Sequence, residues 1–327
     1  SESQERMLMV VKEEKLNTLI KQFTKWGLFA NVIGEVISKR EVIISQKNQI
    51  VAQIPTSALS DETPINIHNV IKQPPNYLLK KWEWSEDNLP IISENKILSL
   101  KDKKKYSFSE IILKLLSNPS IASKNWVYRQ YDSQVQSNTV FKPGEADAAL
   151  IRLRGQDKKI KNKFSGVAAS VDCNSRWVLL DPYRGSIAAV AESARNVSCV
   201  GAEPIAITNN LNFSSPDTEL GYWQLSSACD GISKACIALE TPVTGGNVSL
   251  YNESKNKNNQ VTPINPTPVI GMVGTIKNVN KAISSGWKNI NDQIWIIGSN
   301  ASESSICASS YLEYFHGLVT GRPPEIN

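Results

Sequence analysis

Several classes of protein are excluded by what this 327-residue sequence lacks. No apolar run approaches the roughly 18 residues of a membrane-spanning helix, and 36 Lys and Arg against 31 Asp and Glu leave a formal charge of only +5. The polar residues 1–6 lack the apolar centre of a signal peptide. The lysines within 101–105 favour a solvated loop, because a nucleic-acid patch would need more Arg and interleaved aromatic residues. We therefore expect neither a membrane nor a nucleic-acid partner.

Histidine and cysteine are also scarce. The chain has two His and five Cys, and no pair of cysteines has C-x-x-C spacing. A zinc site or a disulfide framework is therefore not expected, and reduced thiols in the cytoplasm fit this composition better. Cys229 and Cys236 lie seven residues apart in a helical pattern, which predicts that both face the core. Hydrophobic residues make up 41%, which is ordinary for a chain with a buried core.

Residues 7–55 have the pattern of the second part of an α/β domain. One apolar stripe at helical spacing predicts a helix over residues 13–26, formed by Leu16, Leu19, Ile20, Phe23 and Trp26. Gly27 is placed to end this helix in a left-handed conformation. Strands are predicted at 7–11, 30–37, 41–45 and 49–55, with Lys47 and Asn48 in the turn between the last two.

Residues 56–106 are rich in proline and poor in periodicity, which indicates an ordered connection. We expect Trp82 and Trp84 to anchor it to another surface. Residues 107–110 then have capping-box spacing, which predicts a helix that continues through the apolar residues 111–116. Asn118 and Pro119 end this helix.

Residues 147–276 are the most regular part of the sequence and predict one whole α/β domain. The predicted strands are 148–154, 166–172, 177–180, 204–209, 242–243 and 269–276. One helix is predicted over 186–200, with Gly201 as its stop. A second is predicted to begin at Ser215 and Pro216 and to run to 239, with Trp223, Ala228, Ile232, Cys236 and Leu239 inward. Beyond it, residues 293–297 predict the first strand of another unit.

Three polar segments of this domain are candidates for binding. Residues 208–213 are rich in Asn, and 244–249 contain a Gly pair whose backbone amides can cradle phosphate. By spacing alone, an Asn-rich turn and a Gly-Gly turn are the favoured interpretations. Residues 181–185 lead into a helix N-terminus, which suits anions, and an ordinary ion pair between Glu192 and Arg195 is as probable as a site role. No catalytic triad can be drawn, so these residues indicate at most a phosphate or nucleotide site.

Longer motifs resemble one enzyme family. The segments DPYRG, AESARN and GAEP at 181–185, 191–196 and 201–204, with LNF, YWQ and GNVSLYNE at 211–213, 222–224 and 246–253, are similar to phosphoribosylformylglycinamidine synthase. The same similarity extends to ESQERM at 2–7, to IASK at 121–124, to YD at 131–132 and to QVQ at 134–136. It also includes HG at 316–317 and GRPP at 321–324. The sequence most resembles the large ATP-dependent subunit of the three-component enzyme.

The resemblance implies an ATP-dependent ligase of purine biosynthesis. ATP would phosphorylate the amide oxygen of formylglycinamide ribonucleotide, and ammonia would displace the phosphate to give formylglycinamidine ribonucleotide and ADP. Mg2+ would neutralise charge on the phosphates. The implied partners are a glutaminase subunit, which supplies the ammonia from glutamine, and a small accessory subunit.

The fold implied is α/β (α+β), with aminoimidazole-ribonucleotide-synthetase-like N-type and C-type domains that are duplicated and only partly present. On that map, residues 1–60 finish the first C-type domain and 61–137 form a connection and helix. Residues 138–276 are the second N-type domain, and 285–327 begin the second C-type domain.

Site residues carry over motif by motif. Glu2, Ser3, Gln4 and Ser249 would contact the ribonucleotide substrate, Gly246 the nucleotide, and Asn247 a magnesium ion. Asn209 occupies a nucleotide-binding position that is commonly Asp in the family. Asn keeps an oxygen acceptor but loses the charge, which weakens its hold on a metal-bound nucleotide.

The resemblance implies no catalytic residue in this chain, because the family's catalytic His residues lie in the first N-type domain. Neither His68 nor His316 falls in such a motif. We therefore expect an internal portion of the enzyme that does not turn over by itself. The alternatives are a stand-alone nucleotide-binding structural or regulatory module, and a selenophosphate or thiamine-phosphate kinase relative. The kinase relatives lack the segments at 2–7 and 134–136, so they rank low.

Overall fold

The computed structural model describes residues 6–69, 71, 73–90, 97–99, 104–154, 164–298 and 306–326. The chain forms two compact units, Ser1–Ile67 and His68–Asn327.

The first unit contains one helix and one antiparallel hairpin. Helix α1 spans Glu13–Lys25, and strands β1 and β2 span Glu41–Gln46 and Gln49–Pro55. Lys47 and Asn48 both have positive φ, at 49° and 64°. Two such residues form the turn whose twist matches a two-residue hairpin. The predicted helix, its stop at Gly27 with φ 69° and the predicted hairpin are therefore confirmed.

Two other predictions for this unit are wrong. Residues 7–11 and 30–37 are not strands, because no neighbouring strand among the described residues pairs with them. An apolar run becomes a strand only where another backbone completes its hydrogen bonds. The predicted buried stripe of α1 agrees with the structure only in part. Its first four residues are half-buried, whereas Trp26, which follows the last helical residue, is 68% exposed.

The second unit is built on a five-stranded mixed sheet in the order β5-β6-β11-β7-β8. These strands span Ala149–Arg152 (β5), Gly166–Asp172 (β6), Glu203–Asn212 (β7), Val243–Ser249 (β8) and Thr267–Ile276 (β11). All neighbours are antiparallel except β7 and β8, which are parallel. The short strands β9 (Glu253–Lys255) and β10 (Val261–Pro263) form a separate hairpin between β8 and β11.

Two long helices cover one face of this sheet. They are α6 (Pro182–Cys199) and α7 (Glu219–Leu239). Burial alternates along β11, and Ile270 and Met272 on the covered face are fully buried. Residues on the opposite face of β6, such as Val171, are exposed. This alternation is the period-2 pattern of a sheet with one face against a core.

The helices of this unit begin where side chains cap their backbone N–H groups. Asn174 accepts a hydrogen bond from Trp177 N, so the predicted strand at 177–180 is wrong and helix α5 spans Ser175–Leu180. Asp181 caps α6, which begins four residues before the predicted start. Thr218, not Ser215, caps α7, because Thr218 Oγ1 accepts from Gly221 N at 3.1 Å. The predicted stop at Gly201 is confirmed by its φ of 87°.

The buried residues of α7 agree with those predicted to face inward, with one exception. Trp223, Ala228, Ile232 and Cys236 are buried, and Leu239 in the last turn is 42% exposed. Cys229 is half-buried and packs against the core cluster. All five cysteines are free.

The connection before the sheet contains further short helices and strands. Helix α2 spans Asn76–Trp82, β3 Ile97–Ser99, β4 Lys105–Ser107, α3 Phe108–Leu116 and α4 Asn125–Tyr128. The predicted capping box is confirmed, since the Ser107 and Glu110 side chains each accept from the other residue's backbone N–H. Trp82 is confirmed as an anchor, because its Nε1 donates to Leu180 O at 2.7 Å.

The C-terminal part of the chain does not form the predicted strand. Residues 293–297 are irregular, and the side chains of 294–297 are exposed. Residues 306–326 contain helix α8 (Ser310–His316) and lie against the start of α6. The buried carboxylate of Asp181 accepts from Arg322 Nε at 2.7 Å, and Arg176 Nε donates to Ala308 O. Among the described residues, no helix is both long and apolar enough to cross a membrane.

Candidate functional site

Four of the candidate residues lie along one pair of parallel strands. The register of β7 and β8 places Asn209 beside Gly246, and Asn212 beside Ser249. Asn210 lies beside Asn247. Residues 37 positions apart in sequence are thus neighbours because the helix α7 returns the chain to the same end of the sheet. Strand β8 is the edge of the sheet and is exposed along most of its length.

The segments at 208–213 and 244–249 are strands and not turns. Thr208 Oγ1 donates to Gly245 O, and Thr244 Oγ1 donates to Ile207 O, both at 3.1 Å. The Gly-Gly turn and the Asn-rich turn favoured by local spacing are therefore wrong. Turn propensity is overridden because the backbone groups of both segments are paired across the sheet.

Gly246 is required by the side chain of Asn209. A Cβ added at Gly246 would lie 2.0 Å from Asn209 Oδ1 and 2.4 Å from Asn209 O. Asn209 also pairs with the buried Ile270, so these two candidate residues lie on the face of the sheet that the helices cover. The neighbouring Gly245 has no atom within 4 Å of an added Cβ.

Asn247 lies on the opposite face, because successive residues of a strand alternate between faces. Its Nδ2 donates to Asn210 Oδ1 at 3.3 Å. This bond directs the amide nitrogen toward Asn210 and leaves the amide oxygen for another partner. The candidate nucleotide-binding residues Asn209 and Gly246 and the candidate metal ligand Asn247 thus lie on opposite faces of the strand pair β7–β8. Asn210 was not among the site residues named from the sequence, although it lies within the Asn-rich segment.

Ser249 lies at the end of β8 and is held by a second residue that sequence reasoning missed. Asn252 contacts both the hydroxyl and the carbonyl of Ser249. Glu253 follows, and its Oε1 accepts from Ser215 N at 3.0 Å. Asn252 and Glu253 stand in the GNVSLYNE segment, so the motif was the available signal.

The side-chain oxygen atoms of the strand pair β7–β8 are neutral, so they would bind Mg2+ only if a charged ligand also contacted the ion. Amide and hydroxyl oxygens are groups that Mg2+ accepts. The candidate residues carry no charge, and among the described residues no group of three or more His, Cys, Asp or Glu could hold a metal ion. The amide oxygen of Asn247 would therefore fit a magnesium ion that is held mainly by a phosphate ligand.

A second polar cluster lies where β6 meets α6. Asp172 accepts from Ser193 Oγ and from Asn196 Nδ2, both at 2.9 Å. Burial, with the charge of Asp172, raises the pKa of Glu192, and Arg195 opposes that shift. The described residues do not include a Glu192–Arg195 ion pair. Burial, with Glu192 and Asp172 nearby, raises the pKa of the Cys173 thiol to about 12.

A cavity of about 650 Å³ lies at the junction of the connection and the C-terminal segment. Its walls include Trp82, Trp84 and the two guanidinium groups of Arg184 and Arg322. The Arg322 guanidinium stacks on the Trp82 ring at 4.1 Å and pairs with Asp181. Arg184 is likewise occupied, since it bonds Glu325 at 3.0 Å. The 181–185 segment therefore joins parts of the unit, and the guanidinium groups of Arg184 and Arg322 are both paired internally.

The remaining candidates cannot be compared with the fold. Glu2, Ser3 and Gln4 lie outside the residues that the structure describes.

The mixed sheet, covered on one face by two helices and ending in the polar strand pair β7–β8, defines an α/β domain. Residues 145–276 match the family model "AIR synthase related protein, N-terminal domain", and residues 1–47 match the model of its C-terminal domain. Over these two ranges the chain is similar to the AIR synthase related family. The predicted α/β class and the predicted AIR-synthase-like character are confirmed.

Within that family, the whole chain is similar to one subunit. It is 90% identical over 328 residues to phosphoribosylformylglycinamidine synthase subunit PurL of Prochlorococcus marinus subsp. pastoris. It is 87% identical to the PurL subunit of Prochlorococcus marinus strain MIT 9515. Each match covers all of this chain and 42% of the relative. The resemblance read from the motifs is thus confirmed, and the chain spans less than half of the length of these relatives.

Solved structures give the same family. PurL of Thermotoga maritima complexed with ATP is 28% identical, with a TM-score of 0.56, over 86% of this chain and 39% of that one. PurL complexed with FGAR and the PurLQS structure, both from Thermotoga maritima, give TM-scores of 0.52 and 0.53 at 26% and 27% identity. Each of these two covers 83% of this chain, with 36% and 37% of the solved chains.

Proposed function

We propose that this chain forms part of an ATP-dependent carbon–nitrogen ligase of purine biosynthesis. The reaction converts formylglycinamide ribonucleotide, ATP and glutamine-derived ammonia to formylglycinamidine ribonucleotide, ADP and phosphate. The observation that carries the proposal is 90% identity to a PurL subunit along the entire chain. The Thermotoga maritima PurL structures with ATP and with FGAR support the choice of nucleotide and substrate.

The strand pair β7–β8 supplies the proposed binding residues of this chain. Asn209 and Gly246 contact the nucleotide, and the amide oxygen of Asn247 is a magnesium ligand. Bound Mg2+ would neutralise phosphate charge. The strand pair itself orients these side chains. The hydrogen bond from Asn247 Nδ2 to Asn210 Oδ1 fixes the direction of the Asn247 amide, and the missing Cβ of Gly246 leaves room for the Asn209 side chain. Ser249 contacts the ribonucleotide substrate. Glu2, Ser3 and Gln4 are proposed substrate-binding residues on the resemblance of their motif alone.

The proposed domain map is supported by the matched family models. Residues 1–60 form the end of a first C-type domain, 61–137 the connection, 138–276 a second N-type domain and 285–327 the start of a second C-type domain. The models match 1–47 and 145–276, inside the first and third of these ranges.

Partners and location follow from the same similarity. We infer a glutaminase subunit and a small accessory subunit as partners, which the Thermotoga maritima PurLQS structure supports. A cytoplasmic location is supported by five free cysteines, since thiols stay reduced there. This chain contributes binding and positioning residues and no catalytic residue, so turnover requires the remainder of a complete subunit.

Calorimetry tests the nucleotide site directly. We expect Mg2+-dependent ADP binding to this chain that Asn247→Ala weakens, because the amide oxygen is lost. Asn209→Asp is expected to tighten binding, because the added negative charge would attract the Mg2+ that accompanies the nucleotide. Binding without any dependence on Mg2+ or on either substitution would reject the site. No binding even with Asn209→Asp would also reject a site formed by this chain alone.

Activity requires a complete subunit. We define the chimaeric subunit as the Prochlorococcus marinus subsp. pastoris PurL subunit with its matching segment replaced by this chain. With ammonium as nitrogen donor, it is expected to release ADP only when formylglycinamide ribonucleotide is present. ADP binding by this chain, without turnover by the chimaeric subunit, would favour the alternative of a nucleotide-binding regulatory module.

A further inference from the structure

The turn after β8 returns a side chain to the end of that strand. Tyr251 has a φ of 59°, a left-handed conformation that a bulky residue adopts only where surrounding contacts enforce it. The reversal brings Asn252 back to Ser249, three residues earlier. Its backbone is fixed as well, because Asn252 N donates to Phe213 O and Ile264 N donates to Asn252 O, each at 3.1 Å.

The side chain of Asn252 contacts Ser249 through both of its polar atoms. Nδ2 donates to Ser249 O at 2.8 Å, and it lies 3.1 Å from both Phe213 O and Ser249 Oγ, which share its second hydrogen. Asn252 Oδ1 carries no hydrogen, so its 3.2 Å contact with Ser249 Oγ is a donation by the hydroxyl.

This arrangement determines which way the Ser249 hydroxyl points. Its hydrogen is directed at Asn252 Oδ1 and Asn252 Nδ2 shares a hydrogen with one lone pair of Oγ, so the other lone pair remains for an outside donor. Both side chains are half-buried. Of the two carbonyls that hold Asn252, one belongs to Ser249, the last residue of β8, and the other to Phe213, which directly follows β7. The orientation of the hydroxyl is thus tied to the sheet.

We propose that Asn252 is a positioning residue that presents the Ser249 hydroxyl to the ribonucleotide substrate. This rests on the proposed contact between Ser249 and that substrate. The substrate group that meets Ser249 is then a hydrogen-bond donor, such as a ribose hydroxyl or an amide N–H. Asn252 itself touches no reacting atom.

Calorimetric binding of formylglycinamide ribonucleotide to the chimaeric subunit tests the proposal. Ser249→Ala and Asn252→Ala are each expected to weaken substrate binding about fivefold, the effect of one hydrogen bond. Because both remove the same contact, the double variant should be no weaker than either single variant. The affinity for ADP should stay within about twofold of the unsubstituted protein, whereas a general loss of structure would weaken both ligands.

The outcomes separate the inference from the proposed function. If Ser249→Ala leaves substrate affinity unchanged, the proposed contact of Ser249 fails, and the inference falls with it. If Ser249→Ala weakens binding but Asn252→Ala does not, or if the two effects multiply in the double variant, only the inference is overturned. Asn252→Leu, which has nearly the same shape but neither an acceptor nor an amide hydrogen, replaces Asn252→Ala in the cycle if the latter does not fold, with the same expectations.

Discussion

Gly246→Ala is expected to disrupt the edge of the sheet more than any other small change in the candidate site. The added Cβ would lie 2.4 Å from Asn209 O, where ordinary contacts begin at 3.4 Å. The Asn209 side chain can rotate away from the Cβ, but its backbone oxygen is held in the middle of β7. Strand β8 must therefore move outward by about 1 Å, which is an overpacking strain of typically about 1–3 kcal/mol.

We expect about 2 kcal/mol, because β8 is an edge strand and can yield on its open side. Urea unfolding of this chain measures the loss in the free energy of unfolding. The displacement also separates Asn247 from Asn210, so Mg2+-dependent ADP binding should weaken in parallel.

Gly245→Ala is the matched control. It changes the next residue of the same strand, but the added Cβ would meet nothing within 4 Å. It should be neutral or stabilise by about 0.5 kcal/mol, because alanine restricts the unfolded chain. Equal stabilities for Gly246→Ala and Gly245→Ala would refute the steric argument.

Three further substitutions test other parts of the fold. Asp181→Asn should lower the free energy of unfolding by about 2–3 kcal/mol, measured in urea. The substitution removes the buried carboxylate charge with which the guanidinium groups of Arg184 and Arg322 are paired. Trp82→Phe should cost about 1 kcal/mol in the same assay, because the ring is kept but the bond to Leu180 O is lost. Glu192→Gln should stabilise at pH 7 but not at about pH 3, because burial and Asp172 raise the pKa of Glu192 in the folded state.

Each of these predictions has an outcome that contradicts it. Unchanged protease sensitivity of residues 306–326 in Asp181→Asn would show that this carboxylate does not hold the segment. Trp84→Phe is the control for Trp82, and equal losses would exclude the Leu180 bond as the cause. For Glu192, a raised pKa means that ionisation opposes folding above the pKa of the unfolded chain. A stabilisation that persists at low pH would therefore contradict the argument.

Local sequence signals determined several elements because their causes lie within a few residues. The hairpin turn at Lys47 and Asn48, the capping box at Ser107 and the helix stop at Gly201 all formed as predicted. Each depends on contacts between near neighbours in sequence. The family was also determined by sequence, since the motifs read without structure led to the relatives found by comparison.

Tertiary structure decided the points where local signals compete. Residues 7–11 and 30–37 have strand-like sequences but no strand beside them, whereas the Gly pair at 245–246 reads as a turn and is a strand beside β7. Whether a segment becomes a strand depends on a partner distant in sequence, which periodicity does not reveal.

The candidate site divides in the same way. Sequence motifs named Asn209, Gly246, Asn247 and Ser249, but the register of β7 and β8 placed them along one pair of strands, with Asn209 and Gly246 on one face and Asn247 on the other. Only the folded chain brings Asn252 onto Ser249 and Asn210 onto Asn247. Residue type determined which chemistry was available. Long-range backbone pairing decided which groups meet, because each such hydrogen bond joins residues that chain order leaves apart.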